Sequence, residues 1–124
     1  MDNKVGEFVW FDIPVSNFDT AKTFYGELFG WRFEPMGEAK KTDYWFIKSG
    51  SETVGGFRKP ETPIKLTDSP VLYFAVDKLD PAVTKAKKLG ATLVGERVDI
   101  PGDMGCFHLF RDKDGNLVGM WAKK

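Results

Sequence analysis

Residues Phe18-Asp19-Thr20-Ala21-Lys22-Thr23-Phe24-Tyr25-Gly26-Glu27-Leu28-Phe29-Gly30-Trp31 decide the fold. Ala21, Phe24, Tyr25, Leu28 and Phe29 recur at helical spacing and share one apolar face. Ser16-Asn17 offers side-chain oxygens to cap the first turn, and Gly30 supplies the stop that a helix C-terminus favours. The pattern predicts a helix over Phe18–Phe29. Upstream, Glu7 to Val15 is rich in Phe, Val, Trp and Ile and reads as a strand ending near Pro14. Downstream, Trp31 to Met36, Tyr44 to Lys48 and Thr53 to Phe57 read as three strands with polar or glycine turns between them. Arg58 to Ser69 carries Pro60, Pro63 and several charges and reads as a linker.

Beyond the linker the same order returns. Val71 to Val76 reads as a strand. Leu79 to Leu89 reads as a helix with Ala82, Val83, Ala86 and Leu89 on one face, and Gly90 stops it. Pro81 falls in the first turn, where its missing N–H costs least. Ala91 to Val98, Gly105 to Phe110 and Leu117 to Ala122 follow as strands, the last two joined by the turn Asp114-Gly115-Asn116. Val15 and Val76, Phe18 and Leu79, Asp19 and Asp80, and Ala21 and Ala82 each stand 61 residues apart. Element order repeats, so the expected class is α+β with two tandem βαβββ modules. Module one covers about 5–59, a linker about 60–69 and module two about 70–124, together a single domain.

The chain has 124 residues, 18 basic and 18 acidic, with 42% hydrophobic and 15% aromatic residues. That length fits one domain or two small repeats sharing a core. The apolar content excludes a disordered chain. A balanced charge excludes the basic footprint of a nucleic-acid binder and a polybasic membrane patch. The apolar stretches are short and broken by charge, so no bilayer-spanning segment is expected. Met1-Asp2-Asn3-Lys4 begins no apolar leader, and one cysteine cannot build a disulfide scaffold, so a reducing cytoplasmic setting is expected.

The run Phe8-Val9-Trp10-Phe11-Asp12-Ile13-Pro14-Val15, the stretch Phe24 to Trp31, Leu79-Asp80, Leu89-Gly90-Ala91 and the turn Asp112-Lys113-Asp114-Gly115-Asn116 together resemble the vicinal oxygen chelate superfamily. That superfamily includes glyoxalase I, bleomycin-resistance proteins and extradiol dioxygenases. In the turn, Lys113 stands where the family usually has Pro. The resemblance covers nearly the whole chain. It implies modules that curl into a half-open cup around a ligand cavity, commonly in a homodimer. It also implies metal ligands on the first and last strands of each module. Counting from the shared landmarks puts those positions at Trp10, Val71, Gly119 and near Gly55. None of these side chains can ligate a metal, so neither a metal nor another cofactor is expected.

Other residues carry the expected chemistry. Asp12 follows Trp10 by two, shares its face, and as a carboxylate in an apolar cavity would act as an acid or base or hold a cationic group. Tyr73 is its counterpart in module two. Trp10, Trp45, Tyr73 and Trp121 are candidate aromatic walls of a small-molecule pocket. Cys106 and His108, the single cysteine and single histidine, share a strand face and are also candidate ligand contacts, with His108 a second acid/base candidate. Their simplest reading is a small buried thiol and a hydrogen-bonded imidazole. The loop Pro101 to Gly105 matches one that often closes over the family's ligand. The expected function is metal-free binding of a small organic molecule. The alternatives are a metal-independent lyase or isomerase using Asp12 or His108, and a metal enzyme of glyoxalase or dioxygenase kind with an unrecognised site.

Overall fold

In the computed structural model, which describes residues 4–65 and 68–124, the strand–helix–three-strand order occurs twice. The first run is β1 (Phe8–Pro14), α1 (Phe18–Phe29), β2 (Arg32–Pro35), β3 (Tyr44–Ser49) and β4 (Glu52–Arg58). The second is β5 (Val71–Ala75), α2 (Leu79–Lys88), β6 (Thr92–Asp99), β7 (Cys106–Arg111) and β8 (Leu117–Ala122). The α+β class and the tandem βαβββ order are therefore those the sequence predicts. Met1, Asp2 and Asn3 of the N-terminal reading, and Leu66 and Thr67 of the linker reading, lie outside the described residues. The chain divides into two compact units, Phe11–Pro70 and Met1–Trp10 with Val71–Lys124, so the boundary falls inside β1.

In the unit Phe11–Pro70 the strands run in the order β2-β3-β4-β1, antiparallel except for the parallel pair β4/β1. Trp45 pairs with Phe57 and Ile47 with Gly55, so these residues share the face that meets α1. Val15, Ala21, Ile47 and Phe57 form the buried core. Tyr25 stacks on Trp31 with ring centroids 5.4 Å apart and reaches Phe57 at 5.5 Å. The Asn17 side chain accepts from the Thr20 N–H at 2.9 Å, and Gly30 ends α1 at φ 73°, a left-handed conformation that glycine adopts without strain. The apolar face predicted for α1 is only partly inward. Ala21 is buried and Tyr25 half-buried, but Phe24, Leu28 and Phe29 are more than half exposed. A twelve-residue helix on one edge of a four-strand layer covers a narrower arc than its apolar residues span.

The unit containing Val71–Lys124 repeats the plan, with the order β6-β7-β8-β5 and β8/β5 as the parallel pair. Leu79, Cys106, Met120 and Ala122 are buried, with Val76, Ala82, Val83, Ala86 and Phe110 packed against them. Leu89 caps α2 and is 66% exposed, so it leaves the predicted inner face. Asp112 braces the last turn by accepting from the N–H groups of Asp114 and Asn116 and from the Asn116 amide, each at 2.9 Å. The Asn116 side chain, first among these bonds, holds the Asp112 carboxyl below the usual carboxylate range. No helix among the described residues is long and apolar enough to cross a membrane.

The division between buried and exposed rings sets an expected contrast. Phe57→Ala should cost about 3–5 kcal/mol in urea unfolding, and Phe24→Ser less than about 1 kcal/mol. Equal losses would contradict the burial described above.

Candidate functional site

Strand period places the candidate residues on two opposite faces. In β1 the carboxylate of Asp12 lies across from Gly56 in β4, and Gly56 lies across from Phe46 in β3. Tyr44, two residues before Phe46, shares that face. Its hydroxyl donates to Asp12 Oδ1 at 2.5 Å, and Asp12 is only 6% exposed. The Tyr44 and Phe46 rings meet edge to face at 5.6 Å. A Cβ on Gly56 would overlap the Tyr44 ring. The glycine is therefore what lets the phenol cross the strand and reach the carboxylate.

Trp45 falls on the other side. Its ring lies 6.4 Å from Phe18, and Lys22 Nζ sits 3.4 Å above it, a cation–π contact on the α1 side of the layer. It borders a cavity of about 340 Å³ with Ser16, Phe18, Lys40 and Thr42. The structure thus separates Trp45 from Asp12, with which the sequence groups it. The physical reason is the one-residue offset from Tyr44, which turns the side chain to the opposite face.

The unit Met1–Trp10 with Val71–Lys124 contains a matching pair. Tyr73, 6% exposed, lies across from Gly119, and a Cβ on Gly119 would overlap the Tyr73 ring. Tyr73 meets Phe107 edge to face at 5.5 Å. Trp121 pairs with Phe107 and so shares the face of Tyr73 and Gly119. Its indole Nε1–H donates to the Met104 carbonyl at 2.9 Å. Trp10 is half-buried in the part of β1 that belongs to this unit.

Cys106 and His108 pair with Ala122 and Met120, which places them on the reverse face, toward α2. The Cys106 thiol, 1% exposed, points to the Ala122 carbonyl at 3.5 Å. His108 Nε2 lies 3.1 Å from the Gly95 carbonyl. A carbonyl only accepts, so this nitrogen carries the proton. The two side chains thus bond to different backbone carbonyls and form no nucleophile–base pair. Burial pushes the Cys106 thiol up, opposed by Arg97 and aided by Asp99 and Asp80. The register places Cys106 and His108 on the face opposite Trp121, with which the sequence reading grouped them as candidate ligand contacts.

By register, the last-strand position counted near Gly55 falls at Gly56, the equivalent of Gly119. Gly56 faces Asp12 as Gly119 faces Tyr73, whereas a Cβ on Gly55 would strike Phe11 on the reverse face. The positions that the resemblance assigns to metal ligands are Trp10, Val71, Gly56 and Gly119. No donor atom stands at any of them, and tyrosine rings fill the space over both glycines. Among the described residues no three of His, Cys, Asp and Glu gather as a cation site. The residues present do not fit that metal.

Sequence reasoning missed Tyr44 as an Asp12 partner. The available signal was Gly55-Gly56 inside a strand, because a glycine there marks the close approach of another group.

The model of the Glyoxalase/Bleomycin resistance protein/Dioxygenase superfamily matches residues 7–120. The protein named "Putative glyoxylase CFP32", from Mycobacterium bovis and from Mycobacterium tuberculosis, is 31% identical over 118 residues, which are 95% of this chain and 44% of that protein. The chain therefore spans less than half the length of the curated relatives it matches. A hypothetical protein of Bacillus halodurans superposes with a TM-score of 0.72 at 16% identity, over 98% of this chain and 96% of that one. The Mn(II)-bound glyoxalase of Novosphingobium aromaticivorans superposes with a TM-score of 0.64 at 21% identity, over 97% of this chain and 40% of that one. An extradiol ring-cleaving dioxygenase of B. fuscum gives 0.69 at 16% identity, over 96% and 33%. At these identities the structures share the fold.

The raised thiol has a measurable consequence. Cys106 should react with a thiol reagent such as dithionitrobenzoate only as fast as the chain opens, and at full rate in denaturant. Because the folded thiol resists ionisation more than the unfolded one, its effect is absent at neutral pH. Stability should then fall as pH rises past the ordinary thiol range, and Cys106→Ala should abolish that slope. Fast reaction in the native state would contradict the burial of the thiol.

Proposed function

This chain belongs to the Glyoxalase/Bleomycin resistance protein/Dioxygenase superfamily, and on that premise we propose that it binds a small organic molecule bearing a cationic or hydrogen-bond-donating group, without a metal. The observation that carries this reading is the Tyr44–Asp12 bond at 2.5 Å. With the phenol proton committed to Asp12, the Tyr44 oxygen and the carboxylate oxygens meet any further group as acceptors. A donor-rich head such as an amine or amidine is the complementary chemistry. In the unit Met1–Trp10 with Val71–Lys124, Trp10, Tyr73 and Trp121 are proposed by themselves as aromatic contacts for a ligand. Cys106 and His108 are left out of the site, as is Trp45, because each lies on a helix-packed face.

The name of the mycobacterial relatives and the manganese of the Novosphingobium protein suggest a metal-dependent glyoxalase. The missing donors at Trp10, Val71, Gly56 and Gly119 weigh against that route here. A second reading, metal-independent lyase or isomerase chemistry, is favoured by the same short bond. Asp12 would then take up or return a proton while Tyr44 positions it. A single domain of two modules, a homodimer and a reducing cytoplasmic setting complete the proposal.

Thermal unfolding with benzamidine and with its neutral isostere benzamide tests the binding reading. Benzamidine should raise Tm, approaching the stabilisation of about 2.7 kcal/mol expected at a hundredfold excess over Kd, and benzamide should not. Asp12→Asn should remove the response, and Tyr44→Phe should reduce it. An undiminished response in Asp12→Asn, equal binding of benzamide, or one divalent ion retained per chain with a chelator-sensitive activity would overturn the proposal.

A further inference from the structure

Strand register brings a further side chain to the face that carries Asp12 and Tyr44. Arg58 stands two residues beyond Gly56 in β4, so it shares the face of that glycine. It pairs with Tyr44 of β3 on one side and with Pro14 of β1 on the other. Asp12 pairs with Gly56 on the same ladder, so Arg58 is displaced from Asp12 by one repeat of the pleat, about 7 Å along the strand. Phe57, between Gly56 and Arg58, is buried in the core on the α1 side, as the alternation requires.

The chain has four arginines. Arg97 is paired with Asp80 and Asp99, each at 3.1 Å. Arg32 donates to the Gly50 carbonyl at 2.5 Å and Arg111 to the Gly115 carbonyl at 2.8 Å. These three are exposed. Arg58 is half-buried, yet among the described residues its guanidinium has no ion pair and no hydrogen bond. Its backbone is held, because the Val15 N–H donates to its carbonyl at 2.9 Å and strands flank β4 on both sides. Lys48, which follows Phe46 on this face of β3, is already answered by Glu34 at 2.9 Å. A cation that loses part of its water without gaining a carboxylate is costly, and an anionic partner removes that cost.

We propose that Arg58 is the specificity-determining residue for a second, anionic group of the ligand, which is therefore amphoteric. Its cationic donor group meets Asp12 and Tyr44, and its carboxylate meets the Arg58 guanidinium. This inference rests on the cation-binding reading of Asp12 and Tyr44 and adds the opposite end of the molecule. The planar fork of a guanidinium matches a carboxylate with two parallel N–H···O bonds. A ligand with a cation alone would leave Arg58 unanswered and would be repelled by it. A ligand with both groups, set apart by one ring or a short chain, satisfies the two charges together.

Calorimetric titration with 4-amidinobenzoate and with its methyl ester tests this. The ester keeps the amidine and the ring but loses the negative charge. The wild-type chain should bind the acid at least about tenfold more tightly than the ester. Raising the salt should narrow that preference. Arg58→Gln should erase it, and Arg58→Lys should keep only part of it, since an ammonium supplies charge without the fork. The comparison of acid with ester uses the wild-type chain, so it decides the matter even should Arg58→Gln not fold. Equal affinities, tighter binding of the ester, or a preference that survives Arg58→Gln would overturn the proposal. If acid and ester bind equally and Asp12→Asn abolishes both, the Asp12–Tyr44 reading stands and the role of Arg58 falls. If neither binds up to about 10 mM, both fall together.

Discussion

Two side chains that are missing, at Gly56 and Gly119, are the constraint on which the inner faces of both modules depend. In each module the last strand lies parallel to the first and presents a glycine where the first strand presents Asp12 or Tyr73. Because there is no Cβ, a tyrosine ring occupies the space over the glycine at each place. In one module that ring is Tyr44 and it reaches the carboxylate of Asp12. In the other it is Tyr73 itself. Any larger residue at either glycine would evict the ring, and with it the polar group that the face presents.

Strand alternation then sorts the remaining chemistry. Adjacent residues point to opposite faces, so Tyr44 meets Asp12 whereas Trp45 packs toward α1 under Lys22. Phe107 and Trp121 share a face, and Cys106 and His108 take the other. The reactive-looking pair of the sequence is consequently core. The thiol is desolvated, and the imidazole is fixed by the Gly95 carbonyl at a bulge in β6. A nucleophile needs the opposite surroundings, with partial exposure and a nearby positive charge that lowers its pKa.

The scaffold of this chain is that of the superfamily. Helix starts, helix stops, strand order and the Asp112 turn follow the family plan and rest on local rules that tolerate substitution. The positions that the resemblance assigns to metal ligands hold an indole, an isopropyl group and two hydrogens. A fold can host many functions, and the site decides among them. In the proposed site Asp12 and Tyr44 supply the acceptor oxygens, and Phe46 meets Tyr44 edge to face.

The sequence by itself determined the elements and their repeat. Asn17 and Gly30 bound α1, and the 61-residue offset of pairs such as Val15 and Val76 exposed the second module. These are local or periodic signals, and a reader of one chain can see them. Only the tertiary structure decided which residues meet. Tyr44 and Asp12 are far apart in sequence, and no periodicity links them. The helix face of Phe24, Leu28 and Phe29 looked like core because composition records apolarity, while burial depends on what lies opposite. Cross-strand register settles both matters, because a shift of one residue exchanges the two faces of every strand.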